Sequence, residues 1–179
     1  MKKITSLLSI MALTAVFSTS ALAQNAPSSV NSTGTTTTIV APIQITTSTA
    51  LNFGSFATLS TEGGTLVMTP AAVRSSTGGV KLTSATGSPA AAAFAVSGEG
   101  AYAYTITLPT SALELTTAAT GTGLKTMSVA SFVSSIGTSG TLTAGSQAFT
   151  VGATLTVGLA QVVGTYVNSG GFAVTVNYN

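Results

Sequence analysis

The sequence predicts an all-β domain, built as a sandwich of antiparallel strands. Two observations carry the prediction. Short runs in which apolar and polar residues alternate recur along the chain, and that period places every second side chain on one face of a pleated strand. Gly, Ser, Thr and Pro turns separate the runs at the short spacing of an all-β domain, and no long amphipathic helical pattern occurs.

The chain opens on "MKKITSLLSIMALTAVFSTSALAQ": Lys2 and Lys3, an apolar run, then Ala21-Leu22-Ala23. Together these describe a secretory signal peptide, residues 1–23, cut before Gln24. Ser and Thr interrupt the run and a cleavage signature follows it, so the expectation is removal rather than retention as a membrane span. About 156 residues would remain, enough for one domain with a real core.

Composition narrows the function. Without the leader, Arg74, Lys81 and Lys125 face Glu62, Glu99 and Glu114, a formal balance of zero. No basic patch exists to neutralise phosphates, so nucleic acid is not an expected partner. Low charge also removes the usual electrostatic barrier to self-association. The chain has no Cys, His, Asp or Trp. It therefore offers no His-based triad, no thiol nucleophile, no His/Cys zinc site and no Asp-rich calcium loop. Three separated glutamates are poor material for acid–base work, and exposed charges at strand ends account for Glu99 and Glu114. The sequence reads as a non-enzyme, with no catalytic residues, metal or cofactor.

Residues 24–42 form an N-terminal extension and residues 43–179 the sandwich. The extension begins with the polar, low-complexity "QNAPSSVNSTGTTTT". It passes into "TIVAPIQI", where Ile39, Ala41, Ile43 and Ile45 alternate, and Pro42, which lacks an N–H, confines the stretch to an edge or a strand switch. "ALNFGSFATL", "GTLVMTPAAVR" and "GGVKLTS" follow as strand-like pieces. In "AAAAFAVSGEGAYAYTITLP", Tyr102, Tyr104, Ile106 and Leu108 share the face suited to the core, and Pro109 ends the strand. "LELTT" is a further short strand. "LKTMSVASFVSSIG" fits a strand and a short helix about equally through Met127, Val129 and Val133, and its β-branched content favours strand. Phe149, Val151, Ala153, Leu155 and Val157 alternate through "SQAFTVGATLTVG".

The last stretch, "GGFAVTVNYN", places Phe172, Val174, Val176 and Tyr178 on one face. The alternating run from Phe149 to Val157 is its expected antiparallel partner. That pairing leaves the other edge of the last strand unexplained, and a free edge offers N–H and C=O groups to any chain that meets it.

"LNFG" at Leu51–Gly54, "FTVGATLTVG" and "GTYVNSGGFAVTVNY" resemble the secreted bacterial family called domain of unknown function 4402, over nearly the whole chain after the leader. The last sixteen residues also resemble spore-coat-protein-U-like archaic chaperone–usher pilins. That second resemblance implies an immunoglobulin-like sandwich lacking its final strand, filled first by a periplasmic chaperone and then, at the outer-membrane usher, by the N-terminal extension of another subunit. Tyr178 matches the penultimate tyrosine of pilin C-termini. The sequence departs from type 1 pilins in having no cysteine, and in carrying Tyr166 where those pilins have a glycine.

By this resemblance Thr36, Thr38, Ile39, Val40 and Ala41 are candidate donor-strand residues, and Phe172, Val174, Val176 and Tyr178 the acceptor edge. Neither face of the extension is strongly apolar before Ile39. A leader without structure and an ordinary first strand within the same chain therefore stand beside the donor reading. Three functions compete: a subunit of a cell-surface fimbria, exported through the periplasm and binding copies of itself or related subunits; a monomeric secreted adhesin or biofilm-matrix protein; and an outer-membrane barrel. The barrel needs lipid-length strands with aromatic girdles, and the aromatics here are few and scattered.

Overall fold

A computed structural model describes Ser32, residues 34–84 and residues 86–179. The expected signal peptide, residues 1–23, lies outside the described residues, as do residues 24–31 and residue 33 of the extension. The chain divides into two units between Thr38 and Ile39, and the second, Ile39–Asn179, holds every strand among the described residues.

Its organising element is the long strand β11 (Ser146–Val157). The first half of β11 pairs with β6 (Ala92–Ser97), which pairs in turn with β1 (Gln44–Thr49). Its second half pairs along one edge with β3 (Gly64–Met68), which carries β4 (Arg74–Gly78). Along the other edge it pairs with β9 (Thr126–Ser134), which carries β8 (Leu113–Thr116). These seven strands form one antiparallel sheet. A second sheet has β7 (Ala103–Thr107) at its centre, between β10 (Ser139–Thr141) and β12 (Thr175–Tyr178). A small ribbon joins β2 (Phe56–Thr58) to β5 (Val80–Leu82). The protein is an all-β antiparallel sandwich, and among the described residues there is no helix.

The alternation seen in the sequence becomes two apolar cores. In one, Ala92, Phe94 and Val96 of β6 and Phe149 and Val151 of β11 face Tyr104 and Ile106 of β7 and Val176 of β12. In the other, Leu66 and Met68 of β3, Ala153, Leu155 and Val157 of β11 and Met127 and Val129 of β9 surround Phe53 and Val80. Leu51 and Phe132 pack against both. One strand can serve both cores because its neighbour along one edge changes from β6 to β3 at Gly152. A Cβ on Gly152 would overlap the Met68 carbonyl, so only glycine lets the two main chains approach there.

Two expectations are corrected. The stretch from Phe149 to Val157 does not pair with the last strand: its edges are taken by β3, β6 and β9, and β12 pairs with β7. "LKTMSVASFVSSIG" forms a strand as favoured, but Val133 is 55% exposed. The cause is a bulge. The register to β11 shifts between Gly152 and Thr154, with Ser131 at φ 55°, so two residues of β9 oppose one of β11. Met127 and Val129 face inward before the bulge; Phe132 and Ser134 do so after it. Period-two counting cannot carry across such an insertion.

Gly152→Ala is therefore expected to cost about 3 kcal/mol or to prevent folding, whereas Thr156→Ala, on the exposed face of the same strand, should change stability by less than about 0.5 kcal/mol. Urea unfolding of the two variants beside the unaltered chain measures both.

Candidate functional site

From Gly171 to Tyr178 exposed and inward-facing residues alternate without a break, so Phe172, Val174, Val176 and Tyr178 do share the inner face. Phe172 sits 4.7 Å from Phe132 and 5.9 Å, edge-on, from Phe94, measured between ring centroids. The ladder, however, begins only at Thr175. Phe172, Ala173 and Val174 make no main-chain hydrogen bond among the described residues.

The hydrogen-bond phase of β12 fixes what its other edge presents. Asn179 N–H donates to Ala103 C=O, 3.2 Å, which makes Asn177–Thr105 and Thr175–Thr107 the hydrogen-bonded pairs of the antiparallel ladder. Val176 and Tyr178 then aim their N–H and C=O groups away from β7. The β7 side agrees, since Ile106 N–H donates to Thr138 C=O, 2.8 Å, on the β10 flank. Val174 precedes the ladder, which starts at Thr175. β12 is thus an edge whose side chains enter the core and whose main chain faces out.

Other borders of the sheets are blunted in the ways edges commonly are. β1 follows Pro42 and has a register shift between Thr47 and Thr49. β8 carries Glu114, whose carbonyl accepts from the Asn168 side chain at 2.8 Å, and Thr116 bridges to Val167. β10 is three residues long. The run from Phe172 to Tyr178 carries no charge, proline or bulge. Beside its start an open cleft of about 470 Å³ lies between the Leu108–Ala112 connection and Phe172–Ala173.

Tyr178 also makes a clasp that the sequence reading did not foresee. Its hydroxyl accepts from Glu99 N–H at 2.6 Å and donates to Ala41 C=O at 2.9 Å, while Glu99 Oε2 accepts from Ala41 N–H at 3.2 Å. Gly98 leaves room for the phenol oxygen, which a Cβ there would overlap. Both main-chain groups of Ala41 are consequently occupied within the chain. Of the other candidate donor residues, Thr36 and Thr38 are exposed and outside any strand, Val40 is half-buried, and Ile39 is 94% exposed.

The motifs singled out in the sequence hold turns. Asn52 donates from Nδ2 to Gly87 C=O, 2.9 Å, and accepts from Gly54 N–H, 2.8 Å. Arg74 Nη1 donates to the carbonyls of Phe53 and Ser55 at 3.1 and 2.9 Å. Gly54, at φ 69°, is needed because a Cβ would crowd Arg74 and Pro89. The single hydroxyl proton of Tyr166 is shared between Val162 C=O, 2.6 Å and four residues upstream, and Leu124 C=O, 3.0 Å. A tyrosine bonded back to the main chain just upstream is a device of immunoglobulin-like sandwiches. Burial raises the Tyr166 phenol pKa, and the bond to Val162 opposes that.

A family model described as Domain of unknown function (DUF4402) matches residues 43–178. The chain belongs to this family. The DUF4402 segment includes all twelve strands and closes on Tyr178. No curated protein and no solved structure matches the chain. Among the described residues, no helix is long and apolar enough to cross a membrane.

Glu62, Glu99 and Glu114 stand on different elements: before β3, on the connection from β6 to β7, and in β8. Among the tyrosines, Tyr104 has no exposed surface and donates to Gln147 Oε1 at 2.8 Å, Tyr166 is bound as described, and Tyr102 packs edge-on against Tyr178 at 5.6 Å.

Burial pushes the Tyr104 phenol above its ordinary value near 10. The folded state therefore holds this proton after the unfolded chain has released it. Stability is full below about pH 10 and falls as pH rises through the folded-state value. Alkaline denaturation followed by circular dichroism should show that decline, and Tyr104→Phe should make it shallower while lowering stability at pH 7 through the loss of the Gln147 bond.

Proposed function

We propose that this DUF4402 protein is a non-enzymatic structural subunit of a cell-surface fimbria or filament, exported through the periplasm and joined to copies of itself or related subunits by strand addition. The observation that carries the reading is the undefended edge of β12, with the main-chain groups of Val176 and Tyr178 turned outward beside a partly covered apolar face. An added strand would find hydrogen-bonding partners along the edge and side-chain room at Phe172 and Val174, which is the physics of β-augmentation. Each ladder bond contributes about 1 kcal/mol net, about what ordering one residue of the incoming strand costs. Apolar contacts and the joining of many subunits must supply the surplus.

The strand proposed to fill the edge is the N-terminal extension, with Thr36, Thr38 and Ile39 as its ladder residues, Val40 and Ala41 as its root, and a chaperone and usher as the assembly route implied by the pilin resemblance. The neutral charge balance and the signal-like leader are consistent with export and self-association. A second reading, a monomeric secreted adhesin or biofilm-matrix protein, draws on the attachment of Ala41 to its own domain.

Deletion of Gln24–Thr38 separates the two readings. A chain without a donor but with an acceptor edge should cap polymers of the intact protein, shortening them in proportion to its share. A peptide spanning Ser28–Ala41 should bind the truncated chain and raise its melting temperature. Unchanged assembly together with no peptide binding would leave the monomeric reading ahead.

A further inference from the structure

The clasp at Tyr178 has a direction. β1 runs from Gln44, opposite Ser97, to Thr49, opposite Ala93. β12 runs from Thr175, opposite Thr107, to Tyr178, opposite Tyr104. Since β6 and β7 are joined through Gly98–Tyr102, Gln44 and Tyr178 lie at one end of the sandwich and Thr49 and Thr175 at the other. β1 therefore leaves the Tyr178 end and runs antiparallel to β12. Traced backwards, the chain reaches Ala41 at that same end, where Tyr178 and Glu99 hold both of its main-chain groups.

To lie on its own β12 edge, the extension would have to reverse beside this point. Pro42 fixes its own φ and holds Ala41 in the extended region, so neither residue readily supplies the turn. A turn at Ala41 would also break the two hydrogen bonds that hold its main chain. Beyond the clasp, Ile39 is a large apolar side chain left 94% exposed, so it finds no cover on its own domain.

We infer that the Glu99–Tyr178–Ala41 clasp commits the extension to a second copy of this chain, by fixing its root at the end of the open edge, where the chain would have to reverse to lie along that edge. This rests on the strand-addition reading above and adds a control to it. With the clasp closed, the edge is filled from outside; with it open, the root can turn and the extension can fill its own edge, giving a closed monomer. One hydroxyl bridging the edge strand and the root of the extension is what couples the two.

The chain has no cysteine, so Thr36→Cys with Thr175→Cys provides a single thiol pair, which a short bis-maleimide can join without demanding one register. The full chain carrying this pair is compared with the same chain bearing Tyr178→Phe, which keeps the ring and removes the hydroxyl, or Glu99→Ala. Retained sheet content by circular dichroism qualifies each variant. Denaturing gels then separate links between chains, a ladder, from links within one chain, a fast-migrating monomer. The expected result is a ladder with the clasp intact and a rise of about tenfold in the within-chain share in either variant, the factor carried by the loss of one to two net hydrogen bonds. A within-chain product already dominant with the clasp intact, or ladders of equal strength in all backgrounds, would overturn the inference alone. No link of either kind in any background would overturn strand addition itself, and the inference with it.

Discussion

Everything in this sandwich depends on the contact between two main chains at Gly152. β11 is long enough to serve two cores only if its neighbour can change along its length, and the change from β6 to β3 happens where the absent side chain lets the Met68 carbonyl come close. Before that point Phe149 and Val151 belong to the core under β7; after it Ala153, Leu155 and Val157 belong to the core around Phe53. The bulge of β9 answers the same need from the opposite edge, since its register shift faces Gly152 and Thr154. Both devices bend the sheet where the strand crosses from one core to the other. The last apolar strand covers the first core from the second sheet, paired with β7.

What the sequence could tell, and what it could not, divides along the difference between a face and a neighbour. Side-chain alternation reports which way a residue points, so Tyr104 and Ile106 of β7 and the inner faces of β11 and the last stretch were legible without a structure, whereas Tyr102, expected on the same face, lies ahead of β7 and is 44% exposed. It does not say which strand lies alongside. Phe149–Val157 and Phe172–Tyr178 are both apolar alternating runs close in sequence, which makes a hairpin the natural guess; the actual partner, β7, lies about seventy residues earlier because the nearer candidate is already saturated. Val133 was misread because a bulge resets the period. The clasp was illegible for another reason: Tyr178 meets Glu99 and Ala41 across 79 and 137 positions, and nothing local marks any of the three as a partner of the others. The turn motifs could be read as signatures, but the cage formed by Asn52, Gly54 and Arg74 gives them their physical reason.

An exposed strand edge is ordinarily a hazard, which makes the distribution of protective devices informative. A proline and a register shift guard β1, and a side-chain cap guards β8, while a chain with so few charged residues places none on the last strand. Where blunting one edge would need only a single lysine or proline, its absence from Phe172–Tyr178 alone is weak evidence. It gains force because the same residues also leave Phe172 and Val174 only partly covered and without main-chain partners. Openness of backbone and incompleteness of core coincide at one place.

Tyr178 ties that place to the other end of the domain. Its ring packs with Tyr102 and against the first core, its main chain lies on the open edge, and its hydroxyl holds the root of the extension. A residue with only the first role could be replaced by phenylalanine with little consequence. The hydroxyl joins the end of β12 to Ala41, just ahead of β1, so the two meet at a single oxygen. Through that one oxygen, a change at Ala41 or Glu99 is felt at the end of the last strand.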